Sequence, residues 1–342
     1  AFAPDGRLFF SEIPGQISVI DDDRAQPRPF ANVQEVVGKA GGLYGIAVET
    51  DFENNRYVYA FFHELDSWDN RVIRFREENG IGVEPIIVLE APAITSEDRG
   101  SRHSGGNIHF GPDDKLYVTL GDYGIAPLAQ DLDMLPGKIL RLNRDGSAPE
   151  DNPFYTTAEA SRSMIYAYGL RNSFDFTFDP FSGSMFATEN GPECNDELNL
   201  IEAGNNYGWP LTEPCEPHPA GTVAPLRTYT PPIAPTGIVV YAGDLIPEWQ
   251  GDLFFCDYLT GTLRRAELNE ARNAITSVAK IDIPQRCQID AEVGPDGALY
   301  FTSWNGGFGP GSIGSIYRIS RWPDLFQQFL PLLQFQPLPR NN

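Results

Sequence analysis

One recurring pattern constrains the fold of this chain more than any other feature. A Pro-Asp-Gly-like turn leads into an alternating apolar strand, a glycine-centred turn follows, and a second strand closes on Arg or an apolar residue. It reads PDGRLFFSE…GQISVID from Pro4, NNRYVYAFFHE…NRVIRFR from Asn54 and GPDDKLYVTLGD…GKILRLN from Gly111. It returns as DPFSGSMFATE…DELNLIE from Asp179, WQGDLFFCDY…GTLRRAEL from Trp249 and GPDGALYFTSW…GSIYRIS from Gly294. The copies lie roughly 45–70 residues apart, the size of a propeller blade. A hairpin with alternating apolar positions such as Leu116, Val118 and Leu120 must cover that face with a neighbouring sheet. One blade cannot hide both faces alone, whereas a closed ring of blades can. The repeat therefore predicts an all-β chain, a six-bladed β-propeller over residues 1–322. A Pro-interrupted, extended tail follows over 323–342 (FLPLLQFQPLP), packed along the outer surface or left from surface sorting. A two-sheet sandwich would not need sixfold self-similarity. Helical periodicity is weak, and Thr157–Ser163 and Leu268–Arg272 alone read as single helical turns.

The formal charge of −22 disfavours nucleic acid, whose binding needs clustered Lys and Arg, and disfavours anionic membranes. It suits a neutral or cationic small partner, or bound calcium. No apolar run is long enough to span a bilayer. The chain opens inside a strand pattern, which leads us to expect a precursor's signal, and one strand, ahead of residue 1. The four cysteines contain no CxxC and the four histidines are scattered, which argues against zinc. Of the three possible pairings we favour Cys194–Cys215, across a loop, and Cys256–Cys287, between neighbouring repeats. Such a pattern implies export to an oxidising compartment, periplasmic, secreted or cell-surface.

Chemistry-bearing residues concentrate between Ala167 and Trp209. Arg171 and Asn172 precede a strand in an apolar context, where a guanidinium must find a carboxylate or an anionic ligand. Gly191 and Pro192 form a corner whose carbonyls suit a hard cation, and Glu193, Asp196 and Glu197 follow. Glu197 and Tyr207 flank the next strand and turn and would close another oxygen-lined site. Upstream, His103 stands at a strand entrance beside Gly105 and Gly106, placed as a general base. His63, His109 and His218 show no partner pattern and read as structural or exposed. The loop Gly121–Pro136 carries Asp122, Asp131 and Asp133. GFGPGSIG from Gly307 has the glycines of a phosphate loop without its Lys or helix, and reads as a hairpin turn.

In order, GGLYGIAVETDF from Gly41, HSGGNIHFGPDDKLYVTLGD from His103, GKILRLNRDGSAPEDNPF from Gly137, YGLRN from Tyr168, ENGPECNDELNLIEAGNNYGWP from Glu189 and GPDGALYFTS from Gly294 resemble the soluble quinoprotein sugar dehydrogenases. This is the glucose/sorbosone dehydrogenase family, and the resemblance covers nearly the whole chain. It implies pyrroloquinoline quinone (PQQ) held by calcium as cofactor, and a small-molecule sugar as substrate. His103 would take the proton from the sugar C1 hydroxyl as hydride passes to the quinone C5 carbon. Arg171 would polarise a quinone oxygen and Asn172 would bind the cofactor. The Gly191 and Pro192 carbonyls would ligate the bridging calcium, and Glu197 and Tyr207 would match a second calcium. The electron acceptor is unknown. Positions where the family carries other residues hold Ala40, Phe174, Leu259, Cys287 and Ile289 here, with Arg264, Arg265, Arg286 and Gln288 nearby as substitutes. The alternatives are a cofactor-free propeller that binds a glycan or protein, and a calcium-dependent propeller hydrolase.

Overall fold

The computed structural model describes residues 1–12, 15–38, 40–93, 103–211, 215–305, 313–321 and 327–334. The fold is a six-bladed β-propeller, with each blade a four-stranded antiparallel sheet. The first four blades lie in one compact unit, residues 1–178 with 183–232, and the last two lie in a second, residues 179–182 with 233–342. No helix among the described residues is long and apolar enough to cross a membrane.

From the second blade onward, each sequence repeat supplies the two middle strands. In the third blade these are Leu116–Leu120 and Lys138–Leu142, paired Leu116 to Leu142 and Leu120 to Lys138. In the first blade the repeat supplies Leu8–Glu12 and Gln16–Asp21, which pair from Leu8–Ile20 to Glu12–Gln16. The repeat does not mark the strand that opens each later blade, such as Ala40–Val48, Ile108–Phe110 and Ser173–Phe178. Nor does it mark the fourth strand, which the last blade takes from Gln327–Gln334, antiparallel to Ile313–Arg321. That stretch falls inside the expected tail; residues 335–342, and 306–312 of the glycine-rich segment, lie outside the described residues.

The alternation expected of the hairpins fills the space between blades. Val58, Ala60 and Phe62 pack with Phe9, Ile17 and Val19 of the first blade. The interleaved Tyr59 and Phe61 turn the other way, onto Leu116, Val118 and Leu120. Tyr117 and Ile139 then meet Phe176, Met185 and Ala187 of the fourth blade. In the second unit Phe254, Cys256 and Leu263 pack on Leu299, Phe301 and Tyr317. Both faces of each sandwiched blade are thus dry, and each fully buried large side chain contributes about 1.5–3 kcal/mol.

Helices are short. Ala160–Met164 overlaps the expected turn, whereas Val33–Val37, capped by the Asn32 side chain, and Phe52–Asn55 carry no strong periodicity. The expected turn at Leu268–Arg272 is corrected: Leu268 ends a strand, and residues 269–274 form a hairpin turn. The Asn269 side chain accepts from the Asn273 and Ala274 amides, which satisfies backbone groups that a helix would have used. Both favoured disulfides form, Cys194–Cys215 and Cys256–Cys287, and no described cysteine is free.

Candidate functional site

Within the first unit, opening strands start and second strands end at the same edge, because the two run antiparallel. His103 and Arg171 precede the opening strands of the third and fourth blades; Asp122 follows the third blade's second strand by two residues, and Glu189 is the last residue of the fourth blade's. The fold therefore assembles these four groups on one edge. Tyr207 and Trp209 arrive later, on a segment that runs beside the end of the third blade through a Tyr168–Asn206 bridge and a Tyr207 N–H to Tyr168 carbonyl bond.

Asp122, 1% exposed, joins the parts. Its Oδ1 lies 2.6 Å from His103 Nδ1 and accepts the Gly124 amide at 2.8 Å. Its Oδ2 accepts the Trp209 indole N–H at 2.8 Å. Its own amide donates to the Arg171 carbonyl at 2.8 Å. A carboxylate on Nδ1 fixes the tautomer that leaves Nε2 as the basic nitrogen. The imidazole is held rigidly: His103 has φ 56°, and Gly121 could not carry a Cβ, which would lie 1.9 Å from the His103 carbonyl oxygen. Lys138 supports the same loop from below. It is fully buried, its Nζ donates to the Leu128 and Pro136 carbonyls at 2.7 Å each, and burial pushes it down to about 7.

Arg171 sends Nη1 to the Asn190 carbonyl at 2.8 Å and the Gly191 carbonyl at 3.0 Å, with Cζ 5.6 Å from the Trp209 ring centre. The Arg171 and Asn172 amides donate to Glu189 Oε1 at 3.0 and 2.6 Å. The Asn172 side-chain oxygen accepts the Gly105 amide at 3.2 Å and so ties this corner to the His103 loop. Burial, with the charge of Glu197 as a smaller contribution, pushes Glu189 up to about 8, against the pull of its two backbone donors. Its Oε2 is buried without a hydrogen-bond partner.

Arg171, Glu189, Gly191, Pro192, Glu197, Tyr207, Trp209 and His218 line one open pocket, floored by Cys194 of the disulfide. His103 and Asn172 stand off that lining; His103 reaches it through Asp122 and Trp209, and Asn172 through its amide on Glu189. Glu197 is engaged on both oxygens, by His218 Nε2 at 2.8 Å and Asn199 Nδ2 at 3.0 Å. The Tyr207 hydroxyl donates to the Leu200 carbonyl and accepts the Glu202 amide, both at 2.8 Å. The histidines without a sequence pattern all have partners: His218 has Glu197, His109 has Asp175 at 2.9 Å, and His63 has Tyr44 at 3.0 Å. Among the described residues no group of three or more His, Cys, Asp or Glu side chains is arranged to hold a metal.

In the second unit Arg264 is held by Asp257 at 2.9 Å and Arg265 by Asp252 at 2.5 Å. Arg286 reaches the Tyr258 and Leu259 carbonyls at 3.5 and 3.4 Å, and Cys287 is in its disulfide. Sequence reasoning passed over Asp122, Glu189, Trp209 and His218 as site residues. Asp122 alone had a local signal, an acid placed directly after an apolar strand and a glycine.

The glucose/sorbosone dehydrogenase family model matches residues 1–308. The aldose sugar dehydrogenase YliI of Escherichia coli is 28% identical over 88% of this chain and 85% of its own length. Quinoprotein glucose dehydrogenase B of Acinetobacter calcoaceticus is 33% identical over 61% of this chain and 49% of its own. The PQQ-bound aldose sugar dehydrogenase of Streptomyces coelicolor superposes with TM-score 0.73 at 29% identity, covering 88% of this chain and 86% of that one. With the family matched over nine-tenths of its length, this chain belongs to the glucose/sorbosone dehydrogenase family.

Proposed function

We propose that this chain is a sugar dehydrogenase that oxidises the C1 hydroxyl of an aldose, with calcium-bound PQQ as its redox cofactor. The observation that carries the reading is the His103–Asp122 pair at 2.6 Å, tied through Trp209 and the Arg171 carbonyl to an oxygen-lined pocket. The donor set fits the group. The Gly191 carbonyl and the unpartnered Glu189 Oε2 are oxygen ligands of the kind a hard cation takes. A carbonyl has two lone pairs, so the Gly191 oxygen can hold Arg171 and still face a cation. Arg171, which lines the pocket, would hold an anionic quinone through its guanidinium, and Asn172, with its side-chain oxygen on the Gly105 amide, would bind it through the side-chain NH2. For Glu197 and Tyr207 to hold a second calcium, His218 would have to release the Glu197 carboxylate.

The protein's part in the chemistry follows. His103 Nε2 takes the proton of the sugar C1 hydroxyl while Asp122 stabilises the imidazolium and keeps the ring aimed. As the C1–H bond breaks, its electron pair leaves as hydride, C1 becomes a carbonyl carbon, and the lactone is released. The cofactor supplies the two-electron acceptor for that hydride. Trp209, fixed by Asp122 and lying under Arg171, holds the base and the cation in register. The two disulfides support an exported protein.

A second reading, a cofactor-free propeller that binds a glycan or protein, draws on Arg264 and Arg265 being committed to Asp257 and Asp252. One experiment separates the two. The protein is loaded with PQQ and calcium, and aldose-dependent reduction of a dye is followed. The expected result is turnover that His103→Ala lowers by about 10²–10⁴-fold. Absence of quinone binding at micromolar levels, with specific glycan binding, would establish the second reading.

A further inference from the structure

The edge that carries His103 and Arg171 continues into the second blade, where an aromatic cluster is assembled that the oxidation step does not use. Tyr44 lies at the middle of Ala40–Val48, just before the register shift after which regular pairing resumes at Ile46, His63 lies near the end of Tyr57–Glu64, and Trp68 in the turn that follows. By strand direction this is the same edge that holds His103 and Asp122 in the third blade. Two contacts fix the adjacency. The Gly45 amide donates to the Gly106 carbonyl at 2.9 Å, and a Cβ placed on Gly106 would stand 3.1 Å from Tyr44 Cβ. Asn70, two residues past Trp68, lies against Tyr123, the neighbour of Asp122.

The cluster is built rather than incidental. Tyr44 is 39% exposed, yet its hydroxyl is pinned by His63 Nδ1 at 3.0 Å. His63 is itself buried and lies parallel to Trp68, with ring centres 5.7 Å apart and planes 9° apart. The glycine doublet of GGLYG makes the room. A Cβ on Gly41 would fall 2.1 Å from His63 Nε2, and one on Gly42 would fall 3.1 Å from the Tyr44 hydroxyl oxygen. Trp68 is held at φ 64°, a conformation bulky residues avoid, by a 2.8 Å bond from its amide to the Glu64 carbonyl. Strain of this kind persists where the surroundings enforce it, often at ligand clamps.

We propose that Tyr44 and Trp68, braced by His63, form a subsite for the second pyranose ring of an oligosaccharide whose reducing-end ring faces His103. The inference rests on the sugar-oxidising reading for the orientation of the ligand, but not for the binding itself. A ring pinned at its hydroxyl loses little entropy on stacking and offers a flat apolar face to the C–H face of a sugar. Glu64 and Asp69, already oriented by Arg71 at 2.9 and 3.3 Å, stand beside it as acceptors for sugar hydroxyls.

The test measures equilibrium binding of cellobiose, maltose and glucose to the full chain by calorimetry, with and without PQQ and calcium. Tyr44→Leu and Trp68→Ala are the variants, and circular dichroism melting checks their folding. The expected result is a loss of roughly 5–20-fold in affinity for at least one disaccharide, about 1–1.8 kcal/mol, with glucose changed less than twofold. Tyr44→Phe, which keeps the ring and frees His63, falls in between. Equal losses for glucose and the disaccharides, or no loss, overturn the subsite. Binding of tetramethylammonium that depends on Tyr44 and Trp68 and excludes the disaccharides overturns it in favour of a cation cage. Disaccharide binding that depends on Tyr44 in a protein without sugar-dependent dye reduction keeps the subsite and removes the redox reading.

Discussion

Among the described residues, two second strands, Met185–Glu189 and Leu253–Asp257, end in a buried carboxylate, and the two corners were completed in opposite ways. After Leu253–Asp257 the carboxylate is saturated: Asp257 Oδ2 accepts Arg264 Nε at 2.9 Å and Oδ1 accepts the Thr260 amide at 2.7 Å. After Met185–Glu189 one oxygen takes two backbone amides and the other has no hydrogen-bond partner. The neighbouring cation, Arg171, is turned to the Asn190 and Gly191 carbonyls instead. The same blade geometry thus yields a closed structural corner in one case. In the other it leaves a corner with an oxygen, a guanidinium and carbonyls directed at a pocket. A saturated carboxylate holds its own chain together; one with an open oxygen is the form that can still hold a ligand.

The comparison can be broken most severely at the closed corner. Asp257→Ala removes the carboxylate that holds both Arg264 Nε and the Thr260 amide and should cost about 3–5 kcal/mol in urea unfolding, with the first unit's pocket unchanged. Adding Arg264→Met should recover part of that loss, because the guanidinium that Asp257 balanced is then gone. Next come the disulfides beside each corner. Cys256→Ala with Cys287→Ala should cost about 2–4 kcal/mol of stability and leave cofactor titrations alone. Cys194→Ala with Cys215→Ala should cost a similar amount and also weaken cofactor binding, since Cys194 lines the pocket.

Glu189 gives a smaller effect with a defined sign. Its pKa rises on folding from 4.5 to about 8, so between those values the folded chain keeps a proton that the unfolded chain has released. Stability therefore falls as pH rises from about 4.5 to 8, and levels off above. Glu189→Gln keeps the acceptor for the two amides and should remove that slope, gaining on the order of 1–3 kcal/mol at pH 8. A slope that survives the substitution would assign the proton to another group. The smallest expected change is Arg171→Met: about a tenfold loss of PQQ affinity, roughly 1.4 kcal/mol, read by fluorescence titration.

The central hairpins were legible in the sequence because short runs rich in aromatic and β-branched residues between turn signals read as strands, as Leu116–Leu120 and Tyr57–Glu64 show. The outer strands were less so. Ile275–Ile281 is mostly exposed and reads as polar loop, and Pro235–Val240 opens on a proline and lies outside the repeated turn-strand-turn-strand pattern. His103, Arg171, Asn172, Gly191 and Pro192 drew attention because their residue types are costly or unusual before apolar strands. Asp122 did not, being one acid among 47 Asp and Glu, and its value lies in three distant partners, His103, Arg171 and Trp209, from three parts of the chain. His218 had no nearby partner in sequence; Glu197, 21 residues back, became one only when the loop closed.

The sequence alone determined the blade. Period-two alternation, turn chemistry and repeat length are local properties, and local properties suffice to specify a hairpin that must bury both faces. It also determined which chemical groups sit at strand ends. Tertiary structure decided which carboxylate is saturated and which is open, which histidine is held by the buried Asp122, and that Tyr44 stands beside the His103 loop. Those outcomes depend on distances between residues far apart in the chain, and burial and electrostatics act over a few ångströms of space rather than along the sequence.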